Sequence, residues 1–244
     1  MNNYKLVIQY DGTNYSGWQI QENAVTVQQK ITDALAVLLK EKVNLIGSGR
    51  TDAGVHALGQ VANFQTEQDP GLFEFSYSLN SILPADIAVT QIEKVETDFH
   101  ARFSAKKRSY IYLLAHKKTP FYKNYSMQYP PLNREQINKL NKLSTFIKGE
   151  KDFTSFSRKN DEIENKVCMV ENIHWRRSGD FTIFFIEANR FLHGMVRTIV
   201  GSLLYAERNK LNEDYIKDIF SKKDREAAAE AVVSKGLFLY KVRY

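Results

Sequence analysis

Apolar and polar positions alternate through "KLVIQY" (5–10), so every second side chain shares a face, which predicts a strand. The period then changes. In "TVQQKITDALAVLLKEK" (26–42), Val27, Ile31, Leu35, Leu38 and Leu39 recur at helical spacing, with Thr26 and Gln29 set as a capping box. Short strands follow at "VNLIG" (43–47) and "GQVANFQT" (59–66), then a helix at 71–83 that must stop before Pro84. "IAVTQIEKVE" (87–96) alternates again as a strand. The order β-α-β-β-α-β is that of the split βαβ, or ferredoxin-like, unit.

A comparable order recurs downstream. "KRSYIYLL" (107–114) reads as a strand, and Asn133 caps a helix over 133–148. Strands at 167–176 and 181–188 form a hairpin around Ser178-Gly179-Asp180. Helices follow at 191–208 and 213–220, and a strand at 237–243. These elements imply an α+β fold of two ferredoxin-like halves, residues 1–104 and 105–244, similar in pattern but not in sequence. Set side by side, the two sheets would leave a central basic cleft with aromatic walls.

Composition narrows the class. Of 244 residues, 43% are hydrophobic and 25% charged, enough for one large or two small cores. No apolar run reaches the length of a membrane span, and the N-terminal strand leaves no room for a signal peptide, so a cytoplasmic protein is expected. Cys168 is the only cysteine, which rules out a disulfide framework and a zinc cluster.

Net charge is +6, and its distribution is more informative than its size. No acidic residue occurs between Asp98 and Glu135. That interval interleaves Arg102, Lys106, Lys107, Arg108, Lys117, Lys118 and Lys123 with Phe103, Tyr110, Tyr112, Phe121, Tyr122, Tyr125 and Tyr129. Cations for phosphates and flat rings for bases suit an RNA-binding surface. The plainer alternative is a solvated edge strand whose alternate aromatics face a core.

"GSGRTDAGVHALGQ" (47–60) is glycine-rich without being a phosphate loop. The third glycine of a dinucleotide fingerprint is replaced by Asp52, and Val55-His56 stand where a P-loop needs lysine and a hydroxyl. Asp52 is therefore either an ordinary turn aspartate or a chemical group.

Beyond this motif, "YDGTNYSGWQIQ" (10–21), "FHARFSAKKRSYIY" (99–112), "DFTSFS" (152–157), "FLHGMVRTIVGSLL" (191–204) and "GLFLYKVRY" (236–244) follow one another along nearly the whole chain. Together they resemble the tRNA pseudouridine synthase A family. The resemblance implies a pseudouridine synthase fold, a homodimer without cofactor or metal, and conversion of uridines 38, 39 and 40 of the tRNA anticodon stem-loop to pseudouridine. The reaction breaks the N1–C1′ bond, turns the uracil and joins C5 to C1′. An ionised aspartate either adds to C6 or helps expel uracil through a glycal-type or oxocarbenium-like species.

The resemblance assigns Asp52 as this carboxylate and Arg197 as the cation that keeps it charged in a water-excluding site. Tyr110 would stack on the uracil, with removal of the C5 proton a further possible role. Arg50 would hold the phosphates of the flipped nucleotide, Lys106, Lys107 and Arg108 would bind RNA, and Leu237 would form part of an apolar wall. His56 and His193 read as structural or RNA-contacting. Two stretches depart from the family pattern: Gly194 and Thr198 beside Arg197, and Val232-Val233-Ser234-Lys235 before the last strand. Two rival functions remain at this stage. One is a non-catalytic RNA-binding protein of ferredoxin-like halves; the other is an N-glycosidase that stops at base release.

Overall fold

The computed structural model describes residues 1–158 and 164–244. The chain divides into two compact units, residues 1–106 with 238–244, and residues 107–237. The division thus falls near the expected residue 105, but the terminal strand, read from sequence as part of the second half, belongs with the first unit.

In the first unit, β1 (Asn2–Tyr10), α1 (Val27–Leu39), β2 (Ile46–Gly47), β3 (His56–Thr66), α2 (Leu72–Ile82) and β4 (Ile87–Val95) follow the expected order. β1 pairs antiparallel with both β3 and β4, placing Leu6 opposite Ala62 and Ile92, and β2 pairs with β3. These strands therefore run β4-β1-β3, with β2 also pairing with β3, and each of these pairs is antiparallel. The alternation of β1 buries Tyr4, Leu6, Ile8 and Tyr10 on one face. Tyr4 stacks on Phe64 of β3 at 5.5 Å, and Phe64 meets Phe75 of α2 at 6.4 Å. Fully burying each such side chain contributes about 1.5–3 kcal/mol.

Three expectations change. The second strand shrinks to two residues, because Val43 and Leu45 are buried without joining the ladder. The third starts at His56, three residues earlier than its apolar pattern suggested. The capping box on α1 is half formed. Thr26 Oγ1 accepts from the Gln29 amide at 3.4 Å, while the Gln29 side chain donates to Asp33 Oδ1 at 2.6 Å.

The second unit contains β5 (Lys107–Ala115), β6 (Met127–Gln128), α3 (Arg134–Thr145), β7 (Gly149–Asp152), β8 (Val167–Ser178), β9 (Phe181–Ala188), α4 (Met195–Arg208) and α5 (Glu213–Lys222). β9 lies between β5 and β8, β7 extends the sheet beyond β8, and β6 pairs with β5. β7 has no counterpart in the sequence reading; "GEKD" has no apolar alternation and is held by pairing alone. A full capping box of Asn133 with Gln136 starts α3. That helix is registered on β8 by Asn141, whose side chain bonds both the N–H and the C=O of Trp175. The helix expected from residue 191 starts at Met195, because Gly194 at φ +73 leaves the helical region.

The final strand, β10 (Leu237–Arg243), pairs parallel with β3, Phe238 opposite His56 and Leu239 opposite Ala57. Among the described residues no helix is long and apolar enough to cross a membrane.

Candidate active site

Asp52 sits on the turn between β2 and β3, where the sequence placed it. The turn opens with a clamp. Ser48 N–H donates to Val61 O at 2.7 Å, and Ser48 Oγ donates to Gln60 Oε1 at 2.7 Å. Gln60, fully buried, donates in turn to Gly49 O at 3.0 Å. The turn closes with Val55 N–H donating to Asp52 O at 3.1 Å, with Gly54 at φ +74. That positive φ at the third position is what a type II turn requires. Asp52 therefore occupies the first position of a glycine-dependent turn; its side chain is half-buried, and Arg50 beside it is exposed.

A second segment wraps this turn. Trp18 N–H donates to Thr51 O at 3.1 Å, and Gly54 N–H donates to Tyr15 O at 3.3 Å. The hydroxyls of Tyr10 and Thr51 lie 2.8 Å apart. Two glycines permit the approach. A Cβ on Gly12 would stand 2.0 Å from Val55 O, and one on Gly17 2.4 Å from Thr51 O.

His56, at 1% exposure, stacks on Phe238 at 4.7 Å. Its Nδ1 accepts from Gly12 N–H at 3.0 Å and lies 3.1 Å from Asp11 Oδ1. One nitrogen cannot both accept from the amide and carry a proton for the carboxylate. The buried Gly12 amide needs an acceptor, and the ring supplies one. These contacts tie the β1 end to the start of β3.

In the second unit, Tyr110 of β5 is 9% exposed and meets Phe191 edge-on at 5.1 Å. Tyr112, two residues on, is fully buried and donates its hydroxyl to Val233 O at 2.8 Å. Burial raises the Tyr112 pKa, and the charge of Arg197 opposes the rise. Arg197 lies in the first turn of α4 and donates from Nε to Val232 O at 2.7 Å, while Val232 N–H donates to Arg197 O at 3.2 Å. The departure at 232–235 is thus bonded to the arginine by its own backbone. Thr198 Oγ1 donates to Gly194 O at 3.2 Å, so the other departure closes the first turn of the same helix. Leu237, 5% exposed, follows the 3-10 turn Ser234–Gly236.

The basic trio is less uniform than its sequence. Lys106 is exposed, Lys107 is ion-paired with Glu171, and Arg108 Nη1 donates to Asn189 O at 2.9 Å. Lys117 likewise meets Asp180 at 3.0 Å. The interval free of acids in sequence acquires acidic partners from the β8–β9 hairpin. Cys168 is buried and its thiol is pushed up to about 11 by burial, so it stays protonated and unreactive near neutrality. His193 is exposed.

The first unit thus holds Arg50 and Asp52 between β2 and β3 and His56 at the start of β3, and the second groups Tyr112, Arg197 and the 232–237 segment. Comparison with known proteins gives the family. A family model described as tRNA pseudouridine synthase matches residues 6–104 and 146–244. The tRNA pseudouridine synthase A of Thermoanaerobacter sp. (strain X514) is 42% identical over 247 residues, covering all of both chains. Proteins of the same name from Parabacteroides distasonis and Brachyspira hyodysenteriae are each 40% identical, covering 100% and 98% of this chain and 96% of each relative.

The chain belongs to the tRNA pseudouridine synthase A family.

As a member it is an isomerase that converts uridine to pseudouridine in tRNA. The stretches matched by the family model contain Arg50, Asp52, His56, Arg197 and Leu237 but not Tyr110 or the basic trio, which lie between them. Residues that the sequence reading quoted without giving a task are Tyr10, Gly12, Tyr15, Gly17 and Trp18. Their signal was a glycine-spaced aromatic motif, and their task is visible only where backbone meets backbone.

Proposed function

We propose that this enzyme acts on uridines 38, 39 and 40 of the tRNA anticodon stem-loop, with Asp52 as the reacting carboxylate. The observation that carries this reading is the fixed presentation of Asp52. Its turn is held by backbone bonds at Thr51, Gly54 and Val55 within a chain that matches the family from end to end. A rigid carboxylate can be placed against a flipped nucleotide without ordering cost at the moment of reaction. Flipping costs a few kcal/mol, and less in a loop than in a duplex, which favours an anticodon-arm target.

In this reading Asp52 supplies the negative charge that attacks C6 or accompanies departure of uracil from C1′. Arg197, fixed by Val232, supplies a positive charge to the reaction. Tyr110 stacks on the uracil, and Arg50 holds the phosphates of the extruded nucleotide. Leu237 contributes apolar surface. His56, buried and bonded to Gly12, serves by holding the turn. The enzyme is proposed to work in the cytoplasm as a homodimer, since a tRNA arm is long enough to touch two subunits. Sedimentation at micromolar concentration should then give twice the 28.2 kDa chain mass, and a single-chain species would remove the dimer.

The test of the reaction is to map pseudouridine in tRNA treated with the purified protein. Pseudouridine at 38–40 supports the reading, pseudouridine elsewhere relocates the target, and free uracil without pseudouridine overturns it.

The RNA surface gives a separate expectation. Lys106→Ala should lower the log–log salt slope of tRNA binding by roughly 0.7–0.9, the value for one lost phosphate contact. Lys107→Ala should lower it by less, because Glu171 already claims that ammonium. Affinities over a salt series measure this, and unchanged slopes for both variants would place the surface elsewhere.

A further inference from the structure

The motif "YDGTNYSGW" (10–18) has no task in the chemistry above, yet it lies against the turn that carries Asp52. We infer that this segment is a strap that positions Asp52, and that Tyr10 and Thr51 are positioning residues acting through the hydroxyl pair between them. The inference rests on the assignment of Asp52 as the reacting carboxylate.

The strap is itself rigidly held. Ser16 N–H donates to Val25 O at 2.9 Å, Val27 N–H to Gly17 O at 3.2 Å and Gln28 N–H to Trp18 O at 3.0 Å. The buried side chain of Gln28 accepts from Ile20 N–H at 3.0 Å and donates to Leu45 O at 2.8 Å, joining the chain after the strap to the residue before β2. At the outer end, Tyr15 donates its hydroxyl to Asp86 Oδ1 at 2.6 Å, and burial with this acceptor pushes its pKa up.

From this frame the strap bonds the residue before Asp52 and the second residue after it. Thr51 is 7% exposed and is held twice, by Trp18 N–H on its carbonyl and by the Tyr10 hydroxyl on its Oγ1. Gly54 is held by Tyr15 O. Asp52 is therefore suspended between two anchored residues. Loss of one anchor lets the carboxylate wander, and a displacement of about 1 Å can cost on the order of a hundredfold in rate. Tyr10 is 4% exposed, and its hydroxyl meets the turn at Thr51 Oγ1.

The test is a cycle of Tyr10→Phe, Thr51→Val and the double variant, with Thr51→Ser as the conservative control. Single-turnover conversion and tRNA affinity are both measured. Each single variant should slow conversion about tenfold while affinity stays within about twofold, since the anchor sets geometry and not attraction. The double variant should be no slower than the slower single, because both substitutions break the bond that the two hydroxyls share. Thr51→Ser, which keeps the hydroxyl, should restore most of the rate. Wild-type rates in the single variants, losses that multiply in the double, or an equal loss of affinity would each overturn the inference. Asp52→Asn is run alongside: normal turnover there removes the carboxylate assignment. Normal turnover in the Tyr10 and Thr51 variants beside an inactive Asp52→Asn removes only the strap's role.

Discussion

Asp52→Asn is expected to abolish conversion while leaving fold and tRNA binding in place. The bonds that close its turn run through Asp52 O, Gly54 N and Thr51 O, none of which changes when the carboxylate becomes an amide. Gly54 supplies the positive φ whatever the side chain at 52. A substitution of this size at a turn costs about 1–2 kcal/mol at most. Removing a negative charge cannot weaken attraction to phosphates, so affinity should hold or rise. The amide is neither a nucleophile towards C6 nor a partner for positive charge at C1′. Single-turnover release of tritium from C5-labelled uridine in tRNA measures the step. A variant that binds normally and keeps more than about a hundredth of the wild-type rate would end the assignment.

The second large effect is expected at Tyr110. Removing the ring by Tyr110→Ala deletes a side chain that is 9% exposed and packed edge-on against Phe191. Truncating a buried aromatic costs about 3–5 kcal/mol, so this variant should melt earlier as well as lose conversion. Tyr110→Phe keeps the ring and its packing, and so separates the two roles. If the hydroxyl moves the C5 proton, Phe should bind and melt like wild type but turn over about 10²–10⁴-fold more slowly. If stacking on the base is the whole contribution, Phe should work nearly as well as Tyr. Melting curves combined with rates for the two variants decide the matter, and an Ala variant of near-wild-type activity would take Tyr110 out of the reaction.

Long elements were legible in the sequence wherever one face is buried. β9 appears with the expected bounds, and β10 likewise, because their patterns continue to the ends of the strands. α3 could be read from Asn133 because a cap is a local interaction. β7 could not be read, since its glycine and three charged residues are strand only by virtue of their neighbour β8. The turn of Asp52 was visible in its glycines, but the strap around it was not. The fit of Gly12 and Gly17 depends on how close two backbones come, a distance that no periodicity records. The ion pairs of the acid-free interval were not legible for a similar reason, because Glu171 and Asp180 approach from residues far along the chain.

The parallel pairing of β10 with β3 also carries a consequence for biosynthesis. Residues 1–106 are made first, yet the unit they form is completed by residues 238–244, with Phe238 laid against His56 at the foot of the Asp52 turn. During synthesis, at about 5–20 residues per second, the nascent chain must carry the start of β3, at His56 and Ala57, without its β10 partner until residues 238–244 emerge. That short stretch of edge is thus open to wrong pairing until β10 is made, and Phe238 can back His56 beside the Asp52 turn only after residues 107–237 have been translated.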